Sequence, residues 1–196
     1  MIILIDNGHG FDTFGKRSPD GRLLEYAWSR IVARKLKEVL EEAGHTVILV
    51  TPEDNDISLG ERTRRVNAYC TKYGTKNCVL VSIHINAAGN GSTWNTASGW
   101  TAWVAPNASA NSKKLAKMLH AEAVKHGLKG NRWVPAEGYW TGNFAIVRDT
   151  KCPAVLTENL YMDNREEMNY LLSEKGINTI VQLHKDGLEK YIKELQ

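Results

Sequence analysis

The sequence predicts an α/β protein, in which a mainly parallel, twisted sheet of about six strands is flanked by helices on both faces. Short apolar runs rich in β-branched residues alternate along the chain with longer segments whose apolar residues recur every three or four positions. Strands that alternate with helices in this way are typical of a parallel sheet covered on both sides. No internal repeat, low-complexity tract or linker divides the chain. We therefore expect residues 1–196 to form one domain.

The strands are predicted from short apolar runs that end at polar or turn-forming residues. The first run follows Met1 directly and stops at Asp6. The predicted strands are residues 2–5, 45–50, 79–83, 100–104, 144–147 and 154–157.

The helices are predicted from apolar residues at three- and four-residue steps, separated by charged residues. Gly44 is the expected stop of the first helix, and Ser58 is the expected N-cap of the second. The predicted helices are residues 23–43, 59–72, 112–126, 165–172 and 176–195.

Composition excludes several classes of partner. The chain has 25 basic and 22 acidic residues, with no basic block that would indicate nucleic-acid binding. Its longest apolar run is far shorter than the roughly 20 residues of a membrane span. We expect a monomer that binds no nucleic acid and does not insert into a membrane.

The start of the chain and its cysteines bear on the compartment. No secretory signal is predicted, because Met1 leads directly into a strand. Cys70, Cys78 and Cys152 are odd in number and lack CxxC spacing, which argues against a disulfide framework and a cysteine zinc site. We expect buried free thiols, with a Cys70–Cys78 bridge left open.

Four residues that can bind a metal ion or move a proton are predicted to lie at one edge of the sheet. His9, His84 and Glu158 each follow a predicted strand closely, and parallel strands present their carboxyl ends at the same edge. Glu25 is predicted in the first turn of the helix that returns from that edge. Two histidines and one carboxylate commonly bind catalytic zinc, and the remaining carboxylate would be free to act as a base. The pattern alone leaves open which glutamate binds the metal.

The segments around these four residues occur in a recognisable order. They are Asp6-Asn7-Gly8-His9-Gly10, Leu24-Glu25, Ser82-Ile83-His84-Ile85-Asn86-Ala87 and Pro153-Ala154-Val155-Leu156-Thr157-Glu158. With residues 58–62, 67–68 and 144–148 they resemble the zinc-dependent N-acetylmuramoyl-L-alanine amidases, the amidase-3 family of cell-wall hydrolases. The resemblance covers almost the whole chain, and the segment around His84 is its most specific part.

The resemblance implies that His9, Glu25 and His84 bind Zn²⁺ and that Glu158 is the catalytic general base and acid. It also implies a single catalytic domain that hydrolyses the amide between N-acetylmuramic acid and L-alanine in peptidoglycan. The chain departs from the family at Asn7, where proline is usual, and at Ser29, where asparagine is common. It also lacks the usual Thr-Gly-Phe after the glutamate. These departures concern loop shape and substrate preference more than the metal site.

Other polar and aromatic residues are candidates for supporting roles. Asn86 is expected to orient a metal ligand, and Arg148 to help stabilise an oxyanion. Trp133, Tyr139 and Trp140 lie in a Gly-rich, polar segment, where they would either stack on a sugar or peptide or pack in the core. No role is assigned to the remaining histidines, which are expected on the surface or on helix faces. They are His45, His120, His126 and His184.

Two alternatives to this function remain open from sequence. One is a zinc peptidase or deacylase that acts on another cell-wall amide, and the other is a peptidoglycan-binding module of the same fold without activity. The chain has no CxxC, GxGxxG or P-loop motif to support a redox or nucleotide-binding role. We expect action on the cell wall, in the periplasm, outside the cell or after phage release. The sequence does not choose between a phage endolysin and a bacterial autolysin.

Overall fold

A six-stranded sheet forms the centre of the computed structural model, which describes residues 1–89 and 91–195. The order of the strands across the sheet is β2-β1-β3-β6-β4-β5. β4 runs antiparallel to β6, and the other neighbouring pairs are parallel. The prediction of a mainly parallel sheet is therefore confirmed. The strands are β1 Ile2–Asn7, β2 Thr46–Leu49, β3 Cys78–Asn86, β4 Thr101–Val104, β5 Trp140–Thr141 and β6 Ala154–Tyr161.

Helices cover both faces of the sheet over two separate hydrophobic clusters. Along β1 the side chains alternate between them: Ile3 and Ile5 belong to the first cluster and Leu4 to the second. Helices α1, α3, α5 and α6 pack over the first cluster, and α2 and α4 over the second. The helices are α1 Glu25–Glu42, α2 Leu59–Tyr73, α3 Ala110–Lys125, α4 Ala145–Arg148, α5 Arg165–Leu172 and α6 Glu174–Lys193.

The strand predicted at residues 144–147 is wrong. This segment begins the short helix α4, in which the N–H of Asp149 donates to the Ala145 carbonyl, and the edge strand β5 lies a few residues earlier. The apolar run is short, so its pattern fits a buried strand and a buried helical turn equally well. Ile146 and Val147, adjacent in sequence, are both buried in the second cluster, as a helical turn allows.

Strands β3 and β6 extend beyond their predicted ends, so His84 and Glu158 lie within strands rather than after them. The two residues are register partners, and the next pair in register is Asn86 with Tyr161. β6 therefore carries one extra residue at this point, a β-bulge. Leu160, in the bulge, has a φ of 66°, in the left-handed region that non-glycine residues rarely adopt.

The predictions for the cap of the second helix and for the three cysteines are confirmed. Ser58 caps α2, since its hydroxyl accepts the N–H of Glu61 at 3.3 Å. Cys70, Cys78 and Cys152 are buried free thiols. Over the described ranges, no helix combines the length and apolar character that crossing a membrane requires.

One histidine lies deeper than a surface position would place it. His184 is on α6, but its side chain is fully buried between α6 and β6. Its Nδ1 donates to the Ile180 carbonyl at 2.8 Å, so its Nε2 accepts from the Thr157 hydroxyl at 3.0 Å. Its burial on the inward face of α6 was not visible from the charged residues that surround it in sequence.

Candidate metal centre

His9, Glu25 and His84 converge at the carboxyl ends of β1 and β3. Glu25 Oε1 lies 3.1 Å from His84 Nδ1, and Glu25 Oε2 lies 3.4 Å from His9 Nε2. One ligand atom from each residue lies within 4.8 Å of the others. The two imidazole rings are nearly perpendicular, with centroids 5.0 Å apart. His9 and His84 are 75 positions apart in sequence, and with Glu25 they form a group that could hold a metal ion.

The Glu25 carboxylate is buried and only partly satisfied. Oε1 accepts the N–H of Ile85 at 2.9 Å, but Oε2 makes no hydrogen bond with any described residue. Burial by itself raises the pKa of Glu25, but the two histidines outweigh it and hold that pKa well below its usual range. Burial likewise lowers the pKa of His84, and Glu25 raises it above its usual value. A buried carboxylate oxygen without a hydrogen bond, facing an imidazole nitrogen, fits a cation such as Zn²⁺.

Glu158 lies beside this group and is not part of it. Its Oε2 is buried without a hydrogen-bond partner among the described residues. Burial raises the pKa of Glu158 to about 7, with His84 opposing the shift and Glu25 adding to it. A carboxyl group with a pKa near neutral pH can both accept and release a proton.

The turn that carries His9 is held by buried arginines. Arg30 and Arg62 each donate to the His9 carbonyl, at 3.0 and 3.2 Å. Arg62 also donates to the Asn7 carbonyl at 2.6 Å, and the Ser29 hydroxyl donates to the Gly8 carbonyl at 3.2 Å. His9 itself has a φ of 59°. These contacts stabilise a backbone conformation that a histidine rarely adopts.

Close packing explains the glycine before His9. A Cβ at Gly8 would overlap the His84 ring, and a Cβ at Gly10 would overlap the backbone at Asn55 and Asp56. Gly8 thus provides space for the second histidine of the site. The two glycines bring the turn close to β3 on one side and to the loop before α2 on the other.

His84 is fixed through its main chain. The side-chain amide of Asn159 donates to the His84 carbonyl at 2.9 Å, and the bulge in β6 places Asn159 there. Asn159, Arg30 and Arg62 have no role predicted from the sequence. The available signals were weak: a polar residue next to Glu158, and two arginines on helices expected to carry charges anyway.

A cavity of about 690 Å³ is lined by His9, Glu25, His84 and Glu158. Asn86 and Arg148, both predicted at the site, line it. The Asn86 side chain accepts the N–H of Ala87 at 2.8 Å, and Arg148 donates to Asp149 and Asn143. Asn86 thus shapes the turn after β3, and Arg148 is held in place by its own neighbours.

The three aromatic residues singled out in the sequence differ in exposure and surroundings. Trp133, Tyr139 and Trp140 are outside the described lining of the cavity. Trp133 is 72% exposed, whereas Tyr139 is half-buried and packs against the first hydrophobic cluster. The Trp140 ring lies between the rings of Trp133 and Trp103.

Comparison with known proteins identifies the family. The family model described as N-acetylmuramoyl-L-alanine amidase matches residues 3–190. The chain belongs to this family. The predicted family and the predicted enzyme class are thus confirmed.

Individual relatives are similar over almost the whole chain. It is 27% identical to the endolysin of Bacillus phage SPP1, over 97% of the chain and 66% of the endolysin. It is 30% identical to the N-acetylmuramoyl-L-alanine amidase CwlM of Bacillus licheniformis, over 96% of the chain and 67% of that protein. The chain therefore spans about two thirds of the length of these relatives.

A solved structure supports the fold. The N-acetylmuramoyl-L-alanine amidase from Clostridium difficile 630 superposes with a TM-score of 0.84 at 27% identity, covering 100% of this chain and 98% of that one. The single α/β domain predicted from sequence is thereby confirmed.

Proposed function

We propose that the chain hydrolyses the amide between N-acetylmuramic acid and L-alanine in peptidoglycan, with Zn²⁺ held by His9, Glu25 and His84. The observation that carries this proposal is the convergence of these three side chains on one point, with Glu25 Oε2 buried and without a hydrogen bond from any residue that the structure describes. The match to the amidase family supports the choice of substrate. Acting on this substrate means acting on the cell wall, as an endolysin or an autolysin does.

Zinc in such a site supplies a Lewis acid that polarises a carbonyl and acidifies water. Glu158 is the base that takes the proton from the attacking water and then the acid that gives it to the departing alanine nitrogen. Its buried carboxyl and its pKa of about 7 suit both steps. Glu25 cannot take this role, because its pKa is held low and its carboxylate lies between the two histidines.

The supporting residues act by positioning. Arg30 and Arg62 hold the His9 turn, and Asn159 holds the His84 main chain. We keep Arg148 as the candidate that stabilises the oxyanion, since it lines the cavity. We keep Asn86 as the candidate that orients a metal ligand, since it lines the cavity and its side-chain oxygen accepts the N–H of Ala87 in the turn that follows His84.

Digestion of purified peptidoglycan, followed by mass spectrometry, tests the proposed bond. An amidase releases intact stem peptides with a free L-alanine amino terminus, whereas a peptidase releases fragments cut within the stem. A binding module releases neither. Release of fragments, or of nothing, with zinc-loaded protein would overturn the proposal.

Glu158→Gln tests the role of the base. Gln keeps the size of the side chain but cannot accept the proton, so we expect at least a hundredfold loss of activity, on the order of a general base's contribution. Zinc content by elemental analysis should stay at the wild-type level. Glu137→Gln, at an exposed glutamate outside the cavity lining, is the matched control. Activity of Glu158→Gln close to wild type would remove Glu158 from the mechanism.

A further inference from the structure

Four aromatic side chains form a continuous row that begins in the cavity wall and ends on the surface. Phe144 lines the cavity, and its ring centroid lies 5.6 Å from that of Trp103. Trp103 lies 5.3 Å from Trp140, and Trp140 lies 5.6 Å from Trp133. We call Phe144, Trp103, Trp140 and Trp133 the aromatic row. Such spacings are those of packed aromatic pairs.

The aromatic row lies on the same face of the sheet as Glu158. On β4, Thr101 pairs with Glu158 and Trp103 pairs with Leu156. Register partners share a face, and so do residues two apart on one strand. Trp103 therefore points to the side of the sheet from which Glu158 enters the cavity.

Much of the row remains exposed to solvent. Trp133 is 72% exposed and Phe144 is 38% exposed. Burial of both side chains against a ligand would be favourable, because it removes apolar surface from water. Exposed apolar residues that form a contiguous patch next to a cavity mark a binding surface. Trp133 and Phe144 each pack against one ring of the row, and these contacts do not explain their exposure to solvent.

Hydrogen-bond donors accompany the rings. The Arg132 guanidinium stacks over the Trp140 ring, 5.1 Å from its centroid, and donates to the Tyr161 hydroxyl at 2.6 Å. The Nε1 donor of Trp140 is buried and has no hydrogen-bond partner in the described parts of the chain. Asn143 lines the cavity directly before Phe144. The row thus combines ring faces with polar groups at its edge.

We propose that the aromatic row binds the glycan strand of peptidoglycan as it leaves the cavity; this inference rests on the proposed function. A pyranose ring has an apolar face of C–H groups that packs on an indole, and hydroxyls around its edge that pair with donors. The stem peptide consists of small and charged residues, which have no large apolar surface to cover the exposed rings of Phe144 and Trp133. The row therefore suits the sugar side of the scissile amide better than the peptide side.

Direct binding measurements test the row. The ligands are glycan strands freed of stem peptides and, separately, an isolated stem peptide, each titrated into the purified protein by calorimetry. Trp133→Ala removes the exposed end of the row, and we expect glycan binding about tenfold weaker, the size of effect found for aromatic anchors. Peptide binding should be unchanged. Phe14→Ala is the matched control, because Phe14 is 97% exposed and lies outside the row.

A second variant disturbs the row without removing a ring. A Cβ at Gly142 would overlap the Phe144 ring and lie 3.1 Å from Trp103. Gly142→Ala should therefore displace Phe144 and weaken glycan binding in the same direction as Trp133→Ala. Thermal melting of both variants checks that the fold is kept; Trp133→Ala, at an exposed site, should melt with the wild type.

The outcomes separate this inference from the proposed function. An unchanged glycan affinity in Trp133→Ala would overturn the proposal that the aromatic row binds glycan. A loss of affinity confined to the stem peptide would overturn it too. Such results leave the amidase proposal intact if the protein still releases stem peptides. Conversely, if the wild-type protein never cleaves the amide but Trp133→Ala loses glycan affinity, the proposed function is refuted and the glycan-binding role of the aromatic row is supported.

Discussion

The His9 carbonyl accepts hydrogen bonds from both Arg30 and Arg62. Arg30 comes from α1 and Arg62 from α2, so helices on opposite faces of the sheet hold the same atom. The guanidinium groups reach over the end of β1, where the turn would otherwise expose unpaired carbonyls. The position of His9 is thus set by the two helices that pack on either side of β1.

Arg30→Lys should weaken zinc binding. A lysine is a single cationic centre and cannot reproduce the contacts that Arg30 makes with the carbonyls of Tyr26, His9 and Glu53. Loss of a group that orients a ligand costs about 10- to 100-fold in metal affinity. A competition titration against a chromophoric chelator measures the change. Arg34→Lys, one turn along α1 and 57% exposed, is the control and should bind zinc normally. Equal affinities in both variants would contradict the positioning role.

Arg62→Met should destabilise the fold. Arg62 donates to Asp6 at 2.7 Å, and both side chains are almost fully buried. Removing one partner leaves a buried charge unpaired, which costs about 3–5 kcal/mol of unfolding free energy.

Urea denaturation gives the unfolding free energy of this variant. Arg64→Met, on the same helix but 69% exposed, should change it by less than about 0.5 kcal/mol. A loss below about 1 kcal/mol in Arg62→Met would contradict a stabilising role for the buried Arg62–Asp6 pair.

Added zinc should stabilise the folded protein through the three ligands. At a free concentration of 100 times Kd, a ligand that binds only the folded state adds about 2.7 kcal/mol. Calorimetric melting with zinc and with chelator measures this gain, and His84→Ala should abolish it. His45→Ala is the control, since His45 lies directly before β2, outside the group of three ligands, with its Nε2 3.8 Å from Glu189 Oε1. A gain that survives in His84→Ala would show that zinc binds elsewhere.

His184 should make the fold sensitive to mild acid. Burial lowers the pKa of His184 to about 4, against about 6.5 in an unfolded chain. Below pH 6.5 the unfolded state therefore takes up a proton that the folded state does not. Above pH 6.5, His184 therefore leaves the free energy of unfolding unchanged. As the pH falls towards 4, that free energy decreases, by about 2 kcal/mol between pH 7 and pH 5. His184→Gln should remove this part of the pH dependence of the unfolding free energy. An unchanged slope would mean that His184 is protonated in the fold.

The sequence predicted the four chemical groups because each one follows an apolar run or begins a helix. His9, His84 and Glu158 could be placed at one edge from the rule that parallel strands end together. The contacts that hold these residues could not be predicted from the sequence, because Arg30, Arg62 and Asn159 act through main-chain carbonyls. Such contacts depend on the bulge in β6 and on helix packing, and neither leaves a periodic signal.

The same limit explains the error at residues 144–147. A run of four apolar residues has no period long enough to separate a strand from a helical turn. The difference is decided by tertiary packing, which places Ile146 and Val147 in the second cluster. The edge strand β5 has two residues, too few for any pattern.

The close approach of Gly8 to the His84 ring has a practical consequence. Because any side chain at position 8 competes with that ring for space, Gly8→Ala would displace a ligand while leaving all four chemically active side chains in the polypeptide. With the proposed function and the proposed glycan surface, such a protein would bind the cell wall without digesting it. It would serve as an inert label for intact cell walls, without alteration of the residues that act on them.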